Sequence, residues 1–316
     1  MVSKVFIDGA AGTTGLEIRE RLSGRSELEL VQLPDADRKD VRARREALNE
    51  SDLVILCLPD EAAIEAVNMI ERNDVRVIDA STAHRTAPGW VYGFAEMEKD
   101  QRAKIAASTR VANPGCYPTG YLALVRPLIR AGIIPKDFPL TVNAVSGYSG
   151  GGKSMIEEFE KKNSPVYTET AVRTYALTLA HKHVPEMHVH SGQSHAPVFA
   201  PSVGRYYRGM IVEVPLQLWA LPGKPAAASL HAALADAYES EALVEVADLA
   251  EAAAMKTLDA EMLKLTNGME LFVFGNDKTQ QARLVAVLDN LGKGAGGAAV
   301  QNLNIMLGLP ETTGLV

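Results

Sequence analysis

Val5-Phe6-Ile7-Asp8-Gly9-Ala10-Ala11-Gly12-Thr13-Thr14-Gly15 runs from a short apolar segment into three glycines spaced three apart. The stretch that follows, Thr13 to Leu22, carries Leu16, Ile18 and Leu22 among polar residues. Together they predict a strand, a tight turn and a helix, in that order. Glycines in such a turn let the backbone approach a ligand closely. The helix start offers free N–H groups and the positive end of its dipole to a pyrophosphate. Gly9, Gly12, Thr13, Thr14 and Gly15 are therefore candidate phosphate-binding residues. The spacing G-x-x-G-x-x-G is a weaker signal than G-x-G-x-x-G, and tight packing without a ligand would use the same residues. The strand–loop–helix–strand context favours a dinucleotide.

Working outward, Leu28 to Leu33 reads as a second strand and Arg38 to Leu48 as a charged helix. Leu53 to Leu58 is a third strand whose unbroken hydrophobicity predicts burial on both faces. Asp60 to Glu71 reads as a helix and Val75 to Asp79 as a fourth strand. This alternation predicts a parallel sheet with right-handed crossovers, a Rossmann-type α/β domain. The second strand leads into Leu33-Pro34-Asp35-Ala36-Asp37-Arg38-Lys39. An acid there would hold the ribose hydroxyls of NAD, whereas a base would pair with the 2′-phosphate of NADP. Arg38, with Lys39, tilts the reading toward NADP.

The second half lacks the alternation. Pro139 to Ser146 reads as a strand, Lys153 to Lys162 as a helix, and Tyr206 to Leu218 as a run with little helical periodicity. Leu230 to Ala254 is Ala- and Glu-rich and reads as helical. Glu270 to Phe274 and Arg283 to Leu288 read as strands joined by Gly275-Asn276-Asp277-Lys278. The pattern is mixed α+β, largely antiparallel. Ala298 to Leu309 reads as a small-residue helix expected to dock back on the first domain. The expected division is 1–115 for the dinucleotide-binding domain and 116–294 for a catalytic and substrate domain, with 295–316 returning to the first.

Composition narrows the class. The chain has 316 residues, 47% of them hydrophobic and 22% charged, which suits two ordinary globular domains. Its net charge of −7, without a sustained Lys/Arg run, argues against nucleic acid as partner. No leader is read in Met1 to Asp8, and no apolar run reaches the roughly 18 to 20 residues that span a bilayer. The expectation is a cytoplasmic protein that binds no membrane. Two cysteines exclude a disulfide framework or a thiolate zinc site.

Each cysteine is then read singly. Cys57, inside the apolar run, reads as a small buried hydrophobe. Cys116 follows the turn-forming Asn113-Pro114-Gly115 and leads toward a helix over Thr119 to Arg130. A helix N-terminus favours the thiolate and supplies N–H groups for an oxyanion, so Cys116 is a candidate nucleophile against the alternative of an incidental surface thiol. Five of the seven histidines, His181, His183, His188, His190 and His195, fall within fifteen residues. His-x-His on a strand could hold a metal, but only Glu186 lies nearby, and no metal site is expected. An acid/base partner for Cys116 is the preferred role. Gly147-Tyr148-Ser149-Gly150-Gly151-Gly152-Lys153-Ser154 matches G-x-x-x-x-G-K-[ST], and Leu284 to Asp289 could supply an apolar strand ending in Asp. The lack of strand–helix alternation after residue 200 argues for a different anion-binding loop, with a P-loop NTPase as the alternative.

Asn113 to Thr119, Ser146 to Lys153 and His181-Lys182-His183-Val184-Pro185-Glu186-Met187 resemble N-acetyl-γ-glutamyl-phosphate reductases, the shorter type. Val77 to Ser81, Pro197 to Phe199, Tyr207 to Met210 and Asp289 to Gly294 fit in order, so the resemblance spans nearly the whole chain. It implies NADPH-dependent reductive dephosphorylation of N-acetylglutamyl 5-phosphate to the 5-semialdehyde through a cysteine thioester, in arginine synthesis. By that resemblance Cys116 is the nucleophile and His183 the acid/base, with His181 the alternative. Arg85 and Arg208 would meet the substrate's carboxylate or phosphate. Ser81, Ser146, Gly147 and Asn290 would join the cofactor site, Asn290 toward the nicotinamide amide. A small acyl-phosphate substrate and a homo-oligomer are expected. The chain departs from the pattern at Asp8, an acid directly before the glycine turn, and at Ala83-His84, where Asp-Phe is expected. Rival readings are an aspartate-semialdehyde dehydrogenase-like enzyme and a non-catalytic dinucleotide-binding regulator with an idle Cys116.

Overall fold

Leu53–Leu56 buries all four of its side chains, as a strand covered on both faces must. It sits inside a sheet of six parallel strands built from the chain up to Gly115; with Ala295 onward that stretch forms one compact unit, and Cys116–Gly294 forms a second. The computed structural model describes residues 2–315; positions 1 and 316, the outer ends of the two segments assigned above to the first domain, lie outside the described residues.

The first unit runs β1 (Ser3–Asp8), α1 (Thr13–Leu22), β2 (Leu28–Val31), α2 (Val41–Glu50), β3 (Leu53–Leu56), α3 (Asp60–Asn68), β4 (Arg76–Asp79), β5 (Val91–Tyr92), α4 (Gln101–Ala107) and β6 (Arg110–Ala112). Strand order is β2-β1-β3-β4-β6-β5. The register places Asp8, Leu56, Asp79 and Ala112 in one row across β1, β3, β4 and β6. That row is the carboxyl edge, where open parallel sheets bind ligands. Phe6, Leu48, Val54, Leu56, Ala63, Ala66 and Val77 pack a core with α2 and α3 on one face.

Helix α2 starts at Val41 rather than at Arg38, because the Asp40 side chain accepts from the Ala43 N–H and caps it. Arg38 and Lys39 consequently lie in the turn ahead of the helix. Strand β3 stops at Leu56, so Cys57 lies just past the strand end; the residue as a whole is half-buried, while its thiol is held away from solvent.

The second unit runs α5 (Cys116–Arg130), β7 (Thr141–Gly147), a 3₁₀ turn (Tyr148–Gly151), α6 (Gly152–Glu160), β8 (Val172–Thr174), α7 (Val184–Ser191), β9 (Val198–Gly204), β10 (Met210–Gln217), α8 (Ala227–Tyr238), β11 (Val244–Val246), α9 (Leu249–Ala254), β12 (Met269–Asn276) and β13 (Gln281–Leu288). Its seven strands form a mixed sheet in the order β11-β12-β13-β10-β7-β9-β8. The hairpin of β12 and β13 is antiparallel, with Met269 opposite Leu288. The Ala/Glu-rich stretch read as one helix is two, α8 and α9, parted by Val244-Glu245-Val246, which pairs in parallel with β12. His181 and His183 lie ahead of α7, not on a strand. A π-turn (Gly292–Gly296) leads into α10 (Gly297–Leu307), which packs on α1, α4 and β4 within the first unit.

Candidate functional site

In the first unit the carboxyl end of β1 turns sharply at Gly9, whose φ of +89° favours glycine. A Cβ at Gly9 would sit 2.3 Å from the Cys57 carbonyl oxygen, and one at Gly15 would sit 2.5 Å from the Gly9 oxygen. Neither position tolerates a side chain, and the bare backbone forms a shallow cradle. Gly12 is the N-cap of α1 and supplies no side-chain cap, and no acid stands in the first turn. The amides of the first turn, Thr13 to Gly15, are thus presented without a competing carboxylate from their own helix. Beside the cradle opens a cleft of about 590 Å³ between β1, β2 and the turn after it, lined by Gly9, Leu33, Asp35, Arg38 and Lys39. Arg38 pairs with Asp35 across that turn. The cradle and the basic cleft fit a dinucleotide phosphate and a 2′-phosphate respectively.

At the end of β4, Asp79 is fully buried. It accepts from the Ser81 N–H at 2.9 Å and hydroxyl at 2.7 Å, and lies 2.6 Å from His84 Nδ1. The His84 ring stacks on Trp90 at 4.1 Å. The departure at His84 thus has a local reason, since imidazole pairs with the acid and keeps the aromatic contact. Ser81 shapes this turn with both its donors. Arg85 is buried and donates from Nε to the Asn113 carbonyl at 3.0 Å and from Nη2 to the Ala80 carbonyl at 3.1 Å. It therefore holds the segment that leads to Cys116.

In the second unit Cys116 is the first residue of α5, whose first turn carries no acid. Gly294 abuts it so closely that a Cβ there would lie 2.7 Å from the Cys116 Cβ. Tyr117 connects Cys116 to the histidines. Its ring centroid is 5.9 Å from those of both His181 and His183 and 5.0 Å from that of Phe199. Its hydroxyl accepts from the Tyr175 hydroxyl at 3.0 Å. Burial, above all, pushes the Tyr117 hydroxyl well above the ordinary range, with the charges of Tyr175 and Cys116 adding to it. Burial likewise pushes Tyr175 up to about 12, so both remain neutral donors at physiological pH.

His183 is the N-cap of α7 and is buried, with Nε2 4.0 Å from the Glu186 carboxylate, itself buried. Its backbone N–H donates to His181 Nδ1 at 3.1 Å. That bond makes His181 Nδ1 an acceptor and gives His181 the role of fixing its neighbour. Glu186, one turn on at i+3, is placed to stabilise a protonated His183. Neither Glu186 nor Tyr175 was singled out as a site residue from sequence; the i+3 spacing of Glu186 from His183 was the available signal.

Ser146, Gly147, Arg208 and Asn290 form a single knot. Asn290 Oδ1 accepts from the Gly209 N–H at 2.8 Å, and its Nδ2 donates to the Ser149 hydroxyl at 2.9 Å. The Gly147 N–H donates to the Gly209 carbonyl at 2.9 Å. A Cβ at Gly147 would lie 2.6 Å from the Tyr207 oxygen. The Ser146 hydroxyl donates to the Gly147 carbonyl at 3.2 Å and stands close enough to the Tyr117 hydroxyl to favour its ionised form, against the larger effect of burial. Arg208 Nε lies 2.7 Å from fully buried Asp289, which also accepts from the Leu291 and Gly292 N–H groups. Asp289 is thereby committed to Arg208, and Lys153 and Ser154 are exposed, while the glycines after β7 form a 3₁₀ turn. The P-loop alternative is not favoured.

Cys116, His183, Ser146, Gly147, Asn290 and Arg208 are therefore gathered in the second unit. The glycine cradle and Arg38 lie in the first unit at the end of β1, and Ser81 and Arg85 at the end of β4.

A parallel sheet with a glycine cradle and a thiol at a helix start define a dinucleotide-dependent oxidoreductase. Family models agree: the semialdehyde dehydrogenase NAD-binding domain matches residues 4–105 and the semialdehyde dehydrogenase dimerisation domain residues 116–290. The chain belongs to the semialdehyde dehydrogenase family. Among its relatives, the protein named N-acetyl-gamma-glutamyl-phosphate reductase 2 from Nostoc sp. is 53% identical over 318 residues, 99% of each chain. N-acetyl-gamma-glutamyl-phosphate reductase of Brucella ovis is 53% identical over 309 residues, 98% of this chain and 100% of that one. Among solved structures, aspartate semialdehyde dehydrogenase II of Vibrio cholerae superposes with a TM-score of 0.73 at 16% identity, covering 97% of this chain and 98% of that one. At that identity the likeness concerns the fold.

Proposed function

We propose that this chain is an NADP-dependent N-acetyl-γ-glutamyl-phosphate reductase of arginine synthesis. The observation that carries the reading is Cys116 at the start of α5, joined through Tyr117 to His183 and its partner Glu186. Full-length relatives of that name at 53% identity support it.

The Cys116 thiolate, favoured by the helix start, attacks the acyl carbon of the substrate. The carbon–oxygen bond to phosphate breaks, phosphate leaves with the electron pair, and a thioester remains on Cys116. The Gly9–Gly15 cradle, with Arg38 and Lys39 toward the 2′-phosphate, would hold NADPH, whose chemistry there would be to supply the hydride for reduction of this thioester. The amides at the start of α5 stabilise the resulting oxyanion, and His183 exchanges the proton as the thiohemiacetal collapses to aldehyde and free thiol. His181 holds His183 in place through its backbone N–H. Ser81, Ser146, Gly147 and Asn290 shape the turns that border the cofactor. Arg208, anchored by Asp289, meets the anionic end of the substrate, and Arg85 positions the approach to Cys116.

No helix among the described residues is long and apolar enough to cross a membrane. With the match to a dimerisation domain, the proposal extends to a cytoplasmic homo-oligomer that acts on a small molecule and binds no nucleic acid. The test is the reverse reaction: oxidation of N-acetylglutamate semialdehyde that depends on phosphate and NADP. Wild type is expected to turn over and Cys116→Ser to be inactive. No activity with this aldehyde, or full activity of the serine variant, overturns the reading.

A further inference from the structure

Asp8 is the last residue of β1, directly before Gly9, and is 5% exposed. A carboxylate placed there lies at the base of the turn that presents its amides to a dinucleotide pyrophosphate. Uncompensated, it would repel the phosphates, and the more strongly for being desolvated. Thirty-six residues on, Arg44 in α2 reaches it with two donors, Nε at 3.1 Å and Nη2 at 2.9 Å, both to Oδ2. Arg44 is itself 8% exposed, and both residues line the 590 Å³ cleft beside the glycine cradle. A further acid, Glu65 on α3, lies 3.9 Å from Arg44 Nη1 and is exposed to solvent. Arg38 and Lys39 lie in the turn after β2, on the side of the cleft assigned to the 2′-phosphate.

We propose that Arg44 sets the affinity of the pyrophosphate site by neutralising Asp8 from below the glycine turn. Arg44 is in this sense a positioning residue for the cofactor, and the inference rests on the dinucleotide reading above. Because NADP and NAD share the pyrophosphate, Arg44 acts equally on both. A 2′-phosphate ligand would act on NADP alone.

NADPH and NADH titrations followed by their fluorescence, on Arg44→Met, Asp8→Asn, the double variant and Arg38→Met, separate these roles without turnover. Thermal unfolding of each variant reports its fold. Arg44→Met is expected to weaken NADPH and NADH by a similar factor of at least about tenfold, since it strands a buried charge beside the phosphates. Asp8→Asn is expected to bind as wild type or more tightly. The double variant is expected to recover to within about threefold of wild type, because no charge is stranded. Arg38→Met is expected to weaken NADPH alone. An Arg44→Met variant that binds like wild type, a loss confined to NADPH, or a double variant as weak as Arg44→Met overturns the proposal. If Arg44→Met does not fold, a loss of affinity in Asp8→Asn, or in the double variant, overturns it instead. A wild-type chain that binds neither dinucleotide fails the underlying reading, which the first titration reveals.

Discussion

Substituting Gly294→Ala puts one methyl group against the nucleophile. The added Cβ would sit 2.7 Å from the Cys116 Cβ and 3.2 Å from both the Cys116 Cα and the Asp289 carbonyl oxygen. Carbon atoms rest at about 3.5 to 4.0 Å, so roughly 1 Å of separation must be created. Two responses are open. Either the start of α5 moves, or the π-turn opens and gives up the bond from the Gly294 N–H to the Asp289 carbonyl, 2.9 Å long. The second response costs about 1 kcal/mol for the bond, and overpacking of either kind typically costs about 1 to 3 kcal/mol of stability. A displacement of about 1 Å at the reacting atom costs on the order of 10²-fold in rate, equivalent to about 2.7 kcal/mol of barrier. The expected outcome is a folded enzyme, lowered in melting temperature, whose kcat falls by about two orders of magnitude. Steady-state rates, thermal unfolding and the alkylation rate of Cys116 measure the three parts separately. A folded Gly294→Ala enzyme with kcat within about threefold of wild type would refute the reasoning.

The two cysteines should differ sharply in reactivity. Burial, with Asp79 and Asp8 adding their charges, pushes the Cys57 thiol up to about 12, so its thiolate fraction at pH 8 is only about 10⁻⁴. The sign is that of a neutral thiol throughout the physiological range, reactive only in strong alkali. Native protein treated with iodoacetamide near pH 8 should take up a single label, on Cys116 by peptide mass, and labelling of Cys57 at a comparable rate would contradict this. The two histidines should also separate. His183→Asn is expected to lower kcat by about 10² to 10⁴, the usual contribution of an acid/base group. His181→Asn loses only the anchor of the His183 N–H and is expected to cost about tenfold or less. Equal losses in the two variants, measured as kcat, would reverse their roles.

Helix α1 begins and ends where the sequence places it, because a glycine turn and a regular apolar spacing mark both limits. The β12–β13 hairpin was legible for the same reason, two apolar runs flanking Gly275-Asn276-Asp277-Lys278. Strand β11 was not. Its three residues lie among Ala and Glu, whose helical propensity dominates any local window, and only its partner Met269–Leu271 makes it a strand. Helix α7 was missed although its ends are marked, with Pro185 in the first turn and Gly192 in the left-handed region at φ +80°. Its histidines, lacking a helical apolar stripe, drew attention to chemistry instead. Cys116 and the His181–His183 pair were legible as residues, since a turn before a helix and a titratable cluster are local signals. Contacts between residues far apart in the chain were not. Asn290 meets Ser149 across 141 residues of chain, and Asp8 meets Arg44 across 36. Asp8 stands out in the sequence as an acid directly before the glycine turn, but a single chain read in order does not say that an arginine folds back to meet it, or which one.

The chain enters the parallel-sheet unit at its start and completes it only after Ala295. Helix α10 buries Ala299, Val300 and Leu303 and covers α1 and α4. During synthesis, therefore, a chain of 294 residues contains every strand of both sheets and still leaves the flanks of α1 and α4 wet. The six-stranded sheet waits, with an apolar face open, through the making of the whole of Cys116–Gly294. That interval is when the nascent protein is most exposed to aggregation and most in need of a chaperone. Truncation after Leu288 and before residue 295 holds it there permanently.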